Sequence, residues 1–397
     1  MSDVTGSDGS AMDPQDAESE LRTAARDLLE LHWRDEGFTM PNQATYPWQW
    51  LWDSCFHALV WASLGDQRGV TEIEKLFTFQ TDAGFVPHMN YLPDPEAAVE
   101  FWGRSGASTI TQPPMYGHAI ADLVRGGFVF DDNTLAAAER GFRFLFEDRQ
   151  RSASGLIELV HPWESGCDDS ARWDAAMDGE WSRERWREHK WHLVSTVVTD
   201  GDGGAVVNDE FRVASVGFNA LVAFNAQELA SITGSDSLRS AADELAAVIS
   251  TRWDDDLRTW VDDGDLAATT GKVRTVDAHF ALLVDPEPAH TSIGLADLVD
   301  HSAYGAAHGP AGIHRDEPTR DPRTYWRGPA WPQMSYLLWV GATRLGDDDI
   351  AASIASSLRR GTRASGWAEF WEPDTGEGLG AIPQSWATVA LLAEPGH

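Results

Sequence analysis

The sequence has few basic residues and almost no lysine. Lysine and arginine together number 30 against 63 aspartates and glutamates, a formal net charge of -33 at pH 7, and the only lysines are Lys75, Lys190 and Lys272. Nucleic acid is excluded as a partner class, because binding phosphates requires a basic surface. An acidic, lysine-poor surface favours solubility in concentrated salt, where ions screen self-repulsion. We therefore expect a halophilic setting.

Cysteine is equally scarce, and long apolar runs are absent. Cys55 and Cys167 are too few for a disulfide framework, which indicates a reducing compartment. No apolar run approaches the roughly 18 residues of a membrane span. The N-terminal stretch MSDVTGSDGSAMDPQDAESE has neither the basic nor the apolar region of a secretory signal. These absences predict a cytoplasmic protein that does not enter a membrane.

The apolar pattern is helical along most of the chain, and parallel β/α alternation is absent. Residues 1–15 are small and polar and are predicted to be a disordered acidic tail. The remainder, 16–397, contains no linker or low-complexity block and is predicted to be one all-α domain. The predicted helices lie near 16–33, 52–65, 70–81, 113–126, 133–149, 213–232, 236–253, 274–284, 289–300, 329–345, 348–363 and 384–393.

Long segments rich in Gly, Pro, Trp and Asp separate these helices, at 84–112, 151–211, 302–328 and 366–383. Loops of this length are usually functional when they are ordered, and their tryptophans argue against disorder. Twelve helices can close as a double ring with the loops gathered at one end around a cleft. Three helices also run into a similar tail, near 147–159, 252–265 and 363–378, which predicts a recurring helix-then-hairpin unit.

The loop motifs have the composition of a carbohydrate cleft. The chain contains 19 tryptophans, and many lie beside acids or arginines in the stretches YPWQWLWDSCFH, HPWESGCDDSARWD, YWRGPAWPQ and WAEFWEPDTGEG. Sugars offer apolar C–H faces that stack on aromatic rings and hydroxyls that need polar partners. For any single tryptophan, packing in the core remains the simpler interpretation. Metal-peptidase, P-loop and serine-hydrolase motifs are absent.

Two acidic clusters could supply the pair of carboxyl groups that glycosidic cleavage requires. One surrounds Asp168 and the other surrounds Glu369. Composition and spacing alone do not rank Asp168 against its neighbours Glu164, Asp169 and Asp174.

The order of the motifs resembles glycoside hydrolase family 63. ESGCDDSARW, at 164–173, is similar to the family signature E-S-G-x-D-x-S-x-R-W, which also occurs in the related family 37 trehalases. LWDSCF, PHMNY, YWRGPAW and EFWEPDTGEG resemble further family motifs in the family's order, so the resemblance runs from about residue 46 to 390. The short chain resembles the compact branch typified by mannosylglycerate and glucosylglycerate hydrolases, because the extra β-domains of larger members have no room here.

This resemblance implies an (α/α)6 barrel that hydrolyses α-glycosides with inversion, without a cofactor or a metal ion. Matched residue by residue, it implies that Asp168 is the general acid and Glu369 the general base, with carboxyl groups about 6.5–9.5 Å apart. The positions implied or expected to bind substrate are Trp52, Asp53, His88, Gln112, Trp163, Glu164, Tyr325, Trp326, Arg327 and Trp331.

Two positions depart from the pattern. Residue 169 is Asp where relatives often carry Asn or an aromatic residue, and a second carboxylate could raise the pKa of Asp168 or point away. Residue 167 is Cys, and Cys55 lies in another site motif. We expect both thiols to be buried and unbonded near the cleft wall, without a metal.

The sequence therefore predicts an inverting, exo-acting α-glycosidase for a small α-linked glycoside, with mannosylglycerate or glucosylglycerate as the first candidates. One alternative substrate is α,α-trehalose or a short α-glucan. A sugar-binding protein without turnover is a second alternative, disfavoured because both Asp168 and Glu369 are present. An (α/α)6 epimerase or isomerase would rely on histidine pairs that the sequence does not offer. The hexose, the aglycone and the oligomeric state remain open.

Overall fold

The computed structural model describes residues 14–265 and 272–396. Within these ranges the chain is helix-rich, as predicted, and its short strands form five two-stranded antiparallel sheets. The α-helices are α1 (Pro14–His32), α2 (Leu51–Ser63), α3 (Arg68–Leu76), α4 (Val99–Trp102), α5 (Tyr116–Arg125), α6 (Asp132–Glu147), α7 (Arg183–Thr196), α8 (Val216–Thr233), α9 (Asp236–Ser250), α10 (Pro288–Val299), α11 (Pro332–Arg344) and α12 (Asp348–Ser365).

Shorter elements connect these helices. The 3-10 helices are Pro95–Ala98, Pro162–Ser165, Ala171–Ala176, Val276–Leu283 and Ser385–Leu391. The strands are β1 (Trp33–Arg34), β2 (Phe38–Thr39), β3 (Gln49–Trp50), β4 (Met89–Asn90), β5 (Val198–Thr199), β6 (Ala205–Val207), β7 (Trp253–Asp254), β8 (Thr259–Trp260), β9 (Phe370–Trp371) and β10 (Gly378–Leu379).

In the described part of the chain, six helical segments form the interior. Their residues are mostly buried because their sequences are apolar or small on nearly every face. In chain order they are α2, α5, α8, Val276–Leu283, α11 and Ser385–Leu391. Each segment contacts the next one along the chain, and the last contacts α2.

Amphipathic helices cover this interior from outside. α3 packs on α2, α9 on α8, α12 on α11 and α1 on Ser385–Leu391. α12 shows why such a segment is helical: Asp347 accepts a hydrogen bond from Ile350 N at 3.1 Å, and Gly366 ends the helix in the left-handed conformation. Its apolar residues form a single buried stripe. The exposed faces of these helices carry much of the acidic surface.

Hairpins follow several outer helices, which confirms the recurring unit. The pairs β7–β8 and β9–β10 follow α9 and α12, and a bridge between Arg151 and Ile157 follows α6. A similar pair, β1–β2, follows α1. The hairpin β9–β10 carries a candidate site residue, as shown below.

The structure differs from the predicted helices in several segments. The segments near 274–284 and 384–393 are 3-10 helices, and the segments 84–112 and 151–211, predicted to be loops, contain the helices α4 and α7. The predicted disordered tail, 1–15, lies outside the described residues up to position 13, but helix α1 already begins at Pro14. Among the described residues, no helix is both long enough and apolar enough to span a membrane.

Candidate active site

The loop between the 3-10 helices Pro162–Ser165 and Ala171–Ala176 presents Asp168. Its two ends are fixed by buried polar contacts. Ser170 caps the second 3-10 helix, and Arg172 forms ion pairs with Asp262 at 2.8 Å and Asp277 at 2.6 Å. The indole of Trp173 donates to the carbonyl of Cys167 at 2.7 Å. These contacts hold the intervening loop in one conformation.

Of the four acids in the stretch HPWESGCDDSARWD, residues 161–174, three have a cationic partner and Asp168 does not. Within the described part of the chain, no Lys, Arg or His nitrogen lies within 4.0 Å of its carboxyl group. The three ion pairs are Glu164 with Arg149 at 2.6 Å, Asp169 with Lys190 at 2.5 Å and Asp174 with Arg327 at 2.8 Å. This distinction, which spacing could not make, singles out Asp168 as the carboxyl group free to act on a ligand.

Glycine is required at position 166 for this loop to reach the cavity. Gly166 has φ of +74°, and a Cβ built there would lie 2.6 Å from Cη2 of Trp52. Both the left-handed backbone and the close approach to the indole exclude larger side chains. The loop therefore packs directly against Trp52, which places Asp168 beside this ring in the cavity wall.

The surroundings of Asp168 favour its protonated form. Burial raises the pKa of Asp168 to about 7, assisted by the negative charges of Asp169 and Glu369 and opposed by the positive charge of Lys190. A carboxyl group with a pKa near neutrality can donate a proton at ordinary pH.

Glu369 immediately precedes β9 and lines the same cavity. One of its carboxylate oxygens accepts a hydrogen bond from the Tyr46 hydroxyl at 2.9 Å, and the other accepts from Ala381 N at 2.8 Å. Burial raises the pKa of Glu369, whereas these hydrogen bonds, one from Tyr325 and the charge of Arg183 lower it. Gly380 lies so close that a Cβ there would be 2.4 Å from Glu369 Oε2. The carboxylate is thus held in a defined orientation.

The cavity that joins these two acids is small and lined by aromatic rings. It encloses about 380 Å³ of empty space, including its mouth. Its lining residues are Tyr46, Trp50, Trp52, Asp53, Gln112, Gly166, Asp168, Tyr325, Trp326, Glu369, Gln384 and Trp386.

Several buried polar atoms on this lining have no hydrogen-bond partner among residues 14–265 and 272–396. They are the acceptors Gln112 Oε1 and Gln384 Oε1 and the indole donors Trp50 Nε1 and Trp326 Nε1. Buried polar groups are normally hydrogen-bonded, so their number here indicates a polar ligand. Asp53 adds a carboxyl group whose pKa is raised well above its usual value by burial and by the charge of Glu369. The lining thus combines flat apolar faces with donors and acceptors for hydroxyl groups.

Seven of the twelve expected site residues line this cavity. They are Trp52, Asp53, Gln112, Asp168, Tyr325, Trp326 and Glu369. The other five lie one layer behind it and support its wall.

Arg327 and Trp331 support the wall near Trp326. Both terminal nitrogens of Arg327 bind Asp174, at 2.8 Å each, and its guanidinium stacks over Trp181 at 4.1 Å. The ring of Trp331 stacks on that of Trp326 at 3.6 Å between centroids. The sequence predicted that Arg327 binds substrate, but in the structure both of its terminal nitrogens bind Asp174.

The remaining three residues lie near Trp50 and Gln112, since the ring of His88 packs against that of Trp50 and Glu164 accepts from Thr111 N. Glu164 binds Arg149, and His88 donates to or accepts from Ser108 Oγ at 2.6 Å. The ring of His88 also stacks against that of Trp163, 6.3 Å away. None of the three is among the cavity-lining residues.

A wider vestibule continues outward from the cavity and shares Tyr46, Tyr325 and Glu369 with it. Four cationic side chains line this vestibule: Arg183, Arg187, Lys190 and Arg323. Lys190 is paired with Asp169 and Arg323 with Glu377. Arg183 and Arg187 are exposed, and no described carboxylate lies within 4.0 Å of either. Three carboxyl groups, those of Asp169, Glu184 and Glu369, also line the vestibule, so its unpaired positive charge lies at Arg183 and Arg187.

Both cysteines are free and buried, as predicted. Cys55 lies two residues after Asp53 in α2, and Cys167 directly precedes Asp168. Burial raises the pKa of each thiol well above its usual value. The thiols are therefore neutral packing groups next to the cavity wall.

Known proteins are similar to this chain in both sequence and fold. Residues 46–387 match the family described as the mannosylglycerate hydrolase MGH1-like glycoside hydrolase domain. The chain belongs to this family. This confirms the relationship that the ordered motifs indicated, and the protein is a glycoside hydrolase.

Individual relatives extend over nearly the whole length of the hydrolase. The glucosylglycerate hydrolase of Mycolicibacterium hassiacum is 30% identical over 443 aligned positions, covering 93% of this chain and 96% of the relative. A mannosylglycerate hydrolase of Rubrobacter radiotolerans is 26% identical, covering 94% and 96%. The crystal structure of a GH63 mannosylglycerate hydrolase from Thermus thermophilus, in complex with Tris and D-glycerate, shares the fold with a TM-score of 0.79, 24% identity and coverage of 94% and 99%.

Several residues of the hydrolase's cavity escaped sequence reasoning. Tyr46 and Trp50 belong to the motif YPWQWLWDSCFH, but only the structure directs them toward Glu369 and the cavity. Gln384 and Trp386 lie in the segment PQSW, which contains no acid and resembles no site motif. Two arginines of the vestibule, Arg183 and Arg187, lie on α7, within a segment predicted to be a loop.

Proposed function

We propose that this hydrolase is an inverting, exo-acting α-glycosidase for a small α-linked glycoside with an anionic aglycone, with glucosylglycerate or mannosylglycerate as the leading candidates. Asp168 is the general acid and Glu369 the general base. The observation that carries the proposal is the pair itself. Asp168 is the one acid of its loop without a cationic partner, and it lines the same cavity as a hydrogen-bonded Glu369.

The chemistry follows from the protonation of the two groups. Protonated Asp168 donates its proton to the glycosidic oxygen as the bond from that oxygen to the anomeric carbon breaks. Glu369 accepts a proton from a water molecule whose oxygen bonds to the anomeric carbon from the opposite face, which inverts its configuration. Because the pKa of Asp168 is about 7, we expect activity on poor leaving groups to fall as the pH rises through this value.

The size and lining of the cavity support an exo mode of action on one hexose. Aromatic rings such as Trp52 and Trp326 offer stacking faces, and the unpartnered atoms of Gln112 and Gln384 offer acceptors for hydroxyls. A narrow cavity enclosed by aromatic rings accommodates a single sugar ring better than a chain of them.

The vestibule supports an anionic aglycone over a second sugar. Arg183 and Arg187 have no described carboxylate partner, and they line the vestibule into which the cavity opens. Arginine binds carboxylates through charge-assisted hydrogen bonds. The related hydrolases named above act on glycerate-linked sugars, as their names state, and glycerate carries such a carboxylate.

The six interior segments support an (α/α)6 barrel formed by a single catalytic domain. Their neighbour contacts run through the whole set and return to α2, with amphipathic helices outside them. The acidic, lysine-poor composition supports function in concentrated salt.

A substrate panel tests the proposed function. Release of free hexose would be measured from mannosylglycerate, glucosylglycerate, trehalose and maltose in high salt. We expect hydrolysis of at least one of the two glycerate-linked glycosides, and no turnover by Asp168→Asn. Hydrolysis of trehalose or maltose alone would favour the disaccharidase alternative. Binding without hydrolysis of any of the four would favour a sugar-binding protein.

A further inference from the structure

A buried ion pair lies directly beside the proposed general acid. The Nζ of Lys190 is 2.5 Å from Oδ1 of Asp169, and the two residues are only 8% and 4% exposed. Lys190 is one of three lysines in the chain, and the ammonium also lies 5.8 Å from the ring of Trp163. Burying two charges carries a desolvation cost that their attraction only partly offsets. The burial of so rare a residue therefore needs a local reason.

The helix α7 holds the acid loop through this pair and through two further contacts. The indole of Trp186 donates to the carbonyl of Asp168 at 2.9 Å. The carbonyl of Lys190 is 2.9 Å from His161 Nε2, at the start of the acid-bearing stretch. Because residues 186 and 190 are four apart, they lie on one face of α7. This face binds both Asp168 and Asp169, the former through its main chain and the latter through its side chain.

Charged and titratable groups face Asp168 from every element around it. Lys190 approaches from α7, Asp53 from α2, and Glu369 with Tyr46 and Tyr325 from across the cavity. Asp169 and the neutral thiol of Cys167 adjoin it on its own loop. Lys190 is the cation that opposes protonation of Asp168 most strongly.

From this geometry we propose that Lys190 and Asp169 act together as a positioning pair for the reaction, with opposite and balancing charges that keep Asp168 able both to hold and to release its proton. The inference rests on the proposed role of Asp168 as general acid. It gives Asp169 a function, which is to balance the charge of Lys190 beside the acid. Without Lys190, a carboxylate at 169 would be a like charge beside the acid, and without Asp169 the ammonium would be left beside the acid alone.

Opposite shifts in the pH profile are the expected signature of this pair. In Asp169→Asn the remaining ammonium disfavours the protonated acid, so the alkaline limb of kcat/KM moves to lower pH. In Lys190→Met the two adjacent carboxyl groups retain a proton to higher pH, so the limb moves upward. Each shift is expected to be about one pH unit, since a neighbouring charge changes the pKa of a carboxyl group by about 1–3 units. The double variant, with both charges removed, is expected to return toward the wild-type limb.

Two further variants separate charge from folding. Lys190→Arg keeps the charge and is expected to retain the wild-type limb even if kcat falls. Lys272→Met removes a lysine from an exposed pair with Asp254, where the lysine is 54% exposed, and is expected to leave the profile unchanged. Circular dichroism and thermal melts would establish that every variant compared is folded.

The measurement would use the full chain with the best glycoside of the substrate panel and with a nitrophenyl α-glycoside, whose leaving group needs no proton. Shifts of the two single variants in the same direction, or no shift in either while the proteins are folded, would overturn the pairing proposal. Failure of the general-acid assignment is recognised separately: Asp168→Asn would then hydrolyse the poor leaving group at the wild-type rate. If instead Asp168→Asn hydrolyses the nitrophenyl glycoside but not the glycoside with the poor leaving group, Asp168 is established as the general acid independently of Lys190.

Discussion

Substitution of Glu164 by Gln distinguishes a substrate-binding role from a structural one. Both oxygens of Glu164 are fully used in the buried interior: Oε1 accepts from Arg149 at 3.0 Å and from Thr111 N at 3.1 Å. Oε2 accepts from Arg149 at 2.6 Å and from Val160 N at 2.9 Å. The side chains of Glu164 and Arg149 are both 0% exposed.

An amide at this position would leave the guanidinium of Arg149 buried without a counter-charge. It would also turn one NH2 group toward donors that it cannot bind. Removing one partner of a buried ion pair costs about 3–5 kcal/mol. With an unfolding entropy of about 2.1 cal/mol/K per residue, the 397-residue chain should then melt about 4–6 °C lower if unfolding is two-state.

The assay is thermal or urea unfolding beside steady-state kinetics at a temperature where the variant is folded. Glu377→Gln is the matched control, because Glu377 also forms two hydrogen bonds with one arginine, Arg323, but both side chains are at least half exposed. That control should cost no more than about 1 kcal/mol. A Glu164→Gln variant with wild-type stability and a raised KM would refute the reasoning and would indicate that Glu164 contacts substrate.

Three further predictions follow from the site and the surface. Gly166→Ala should lose activity and about 2–4 kcal/mol of stability, because alanine adds left-handed strain and a clash with Trp52. The control is Gly65→Ala, since Gly65 has the same φ of +74° but open space around it. In the same unfolding assay, this control should lose only the stability that the strain costs. Replacing both Arg183 and Arg187 by Met should raise the KM for a glycerate-linked glycoside about tenfold or more, which corresponds to about 1.4 kcal/mol of binding free energy per factor of ten. The KM for a neutral nitrophenyl α-glycoside should stay unchanged. Equal effects on both substrates would contradict an anion site. Raising salt from about 0.1 M to 1 M, which shortens the screening length from about 10 Å to 3 Å, should raise the melting temperature of a chain with a net charge of -33, and a fall would contradict the expected halophilic character.

Helical periodicity located most of the architecture because burial repeats with the helix turn. It missed α7, whose buried stripe consists of Trp186, Lys190 and Leu193. A lysine in the middle of an apolar stripe hides the pattern, since lysine is normally a solvent-facing residue. Arg183 and Arg187, which lie on the same helix, were missed for the same reason.

Periodicity also could not separate α-helix from 3-10 helix in the short segments Val276–Leu283 and Ser385–Leu391. Both are apolar on all faces, so the sequence constrains their burial more strongly than their hydrogen-bond pattern.

The candidate site was predicted in part because its motifs are local, whereas its ion pairs are not. Arg327 reaches across the chain to Asp174, and Lys190 reaches Asp169. Both cations lie outside the stretch 161–174 that contains the carboxylates they bind. Once the pairs are known, the ranking of the acids around Asp168 follows from charge alone.

Stereochemistry of the released sugar tests the central claim most directly. Time-resolved proton NMR of the first turnovers on the α-glycoside that the enzyme hydrolyses would identify the anomer of the free hexose before mutarotation. Action of Asp168 as acid and Glu369 as base through an attacking water predicts that the β-anomer appears first and that Glu369→Gln releases neither anomer at a measurable rate. Initial release of the α-anomer, or unchanged turnover by Glu369→Gln, would contradict this account.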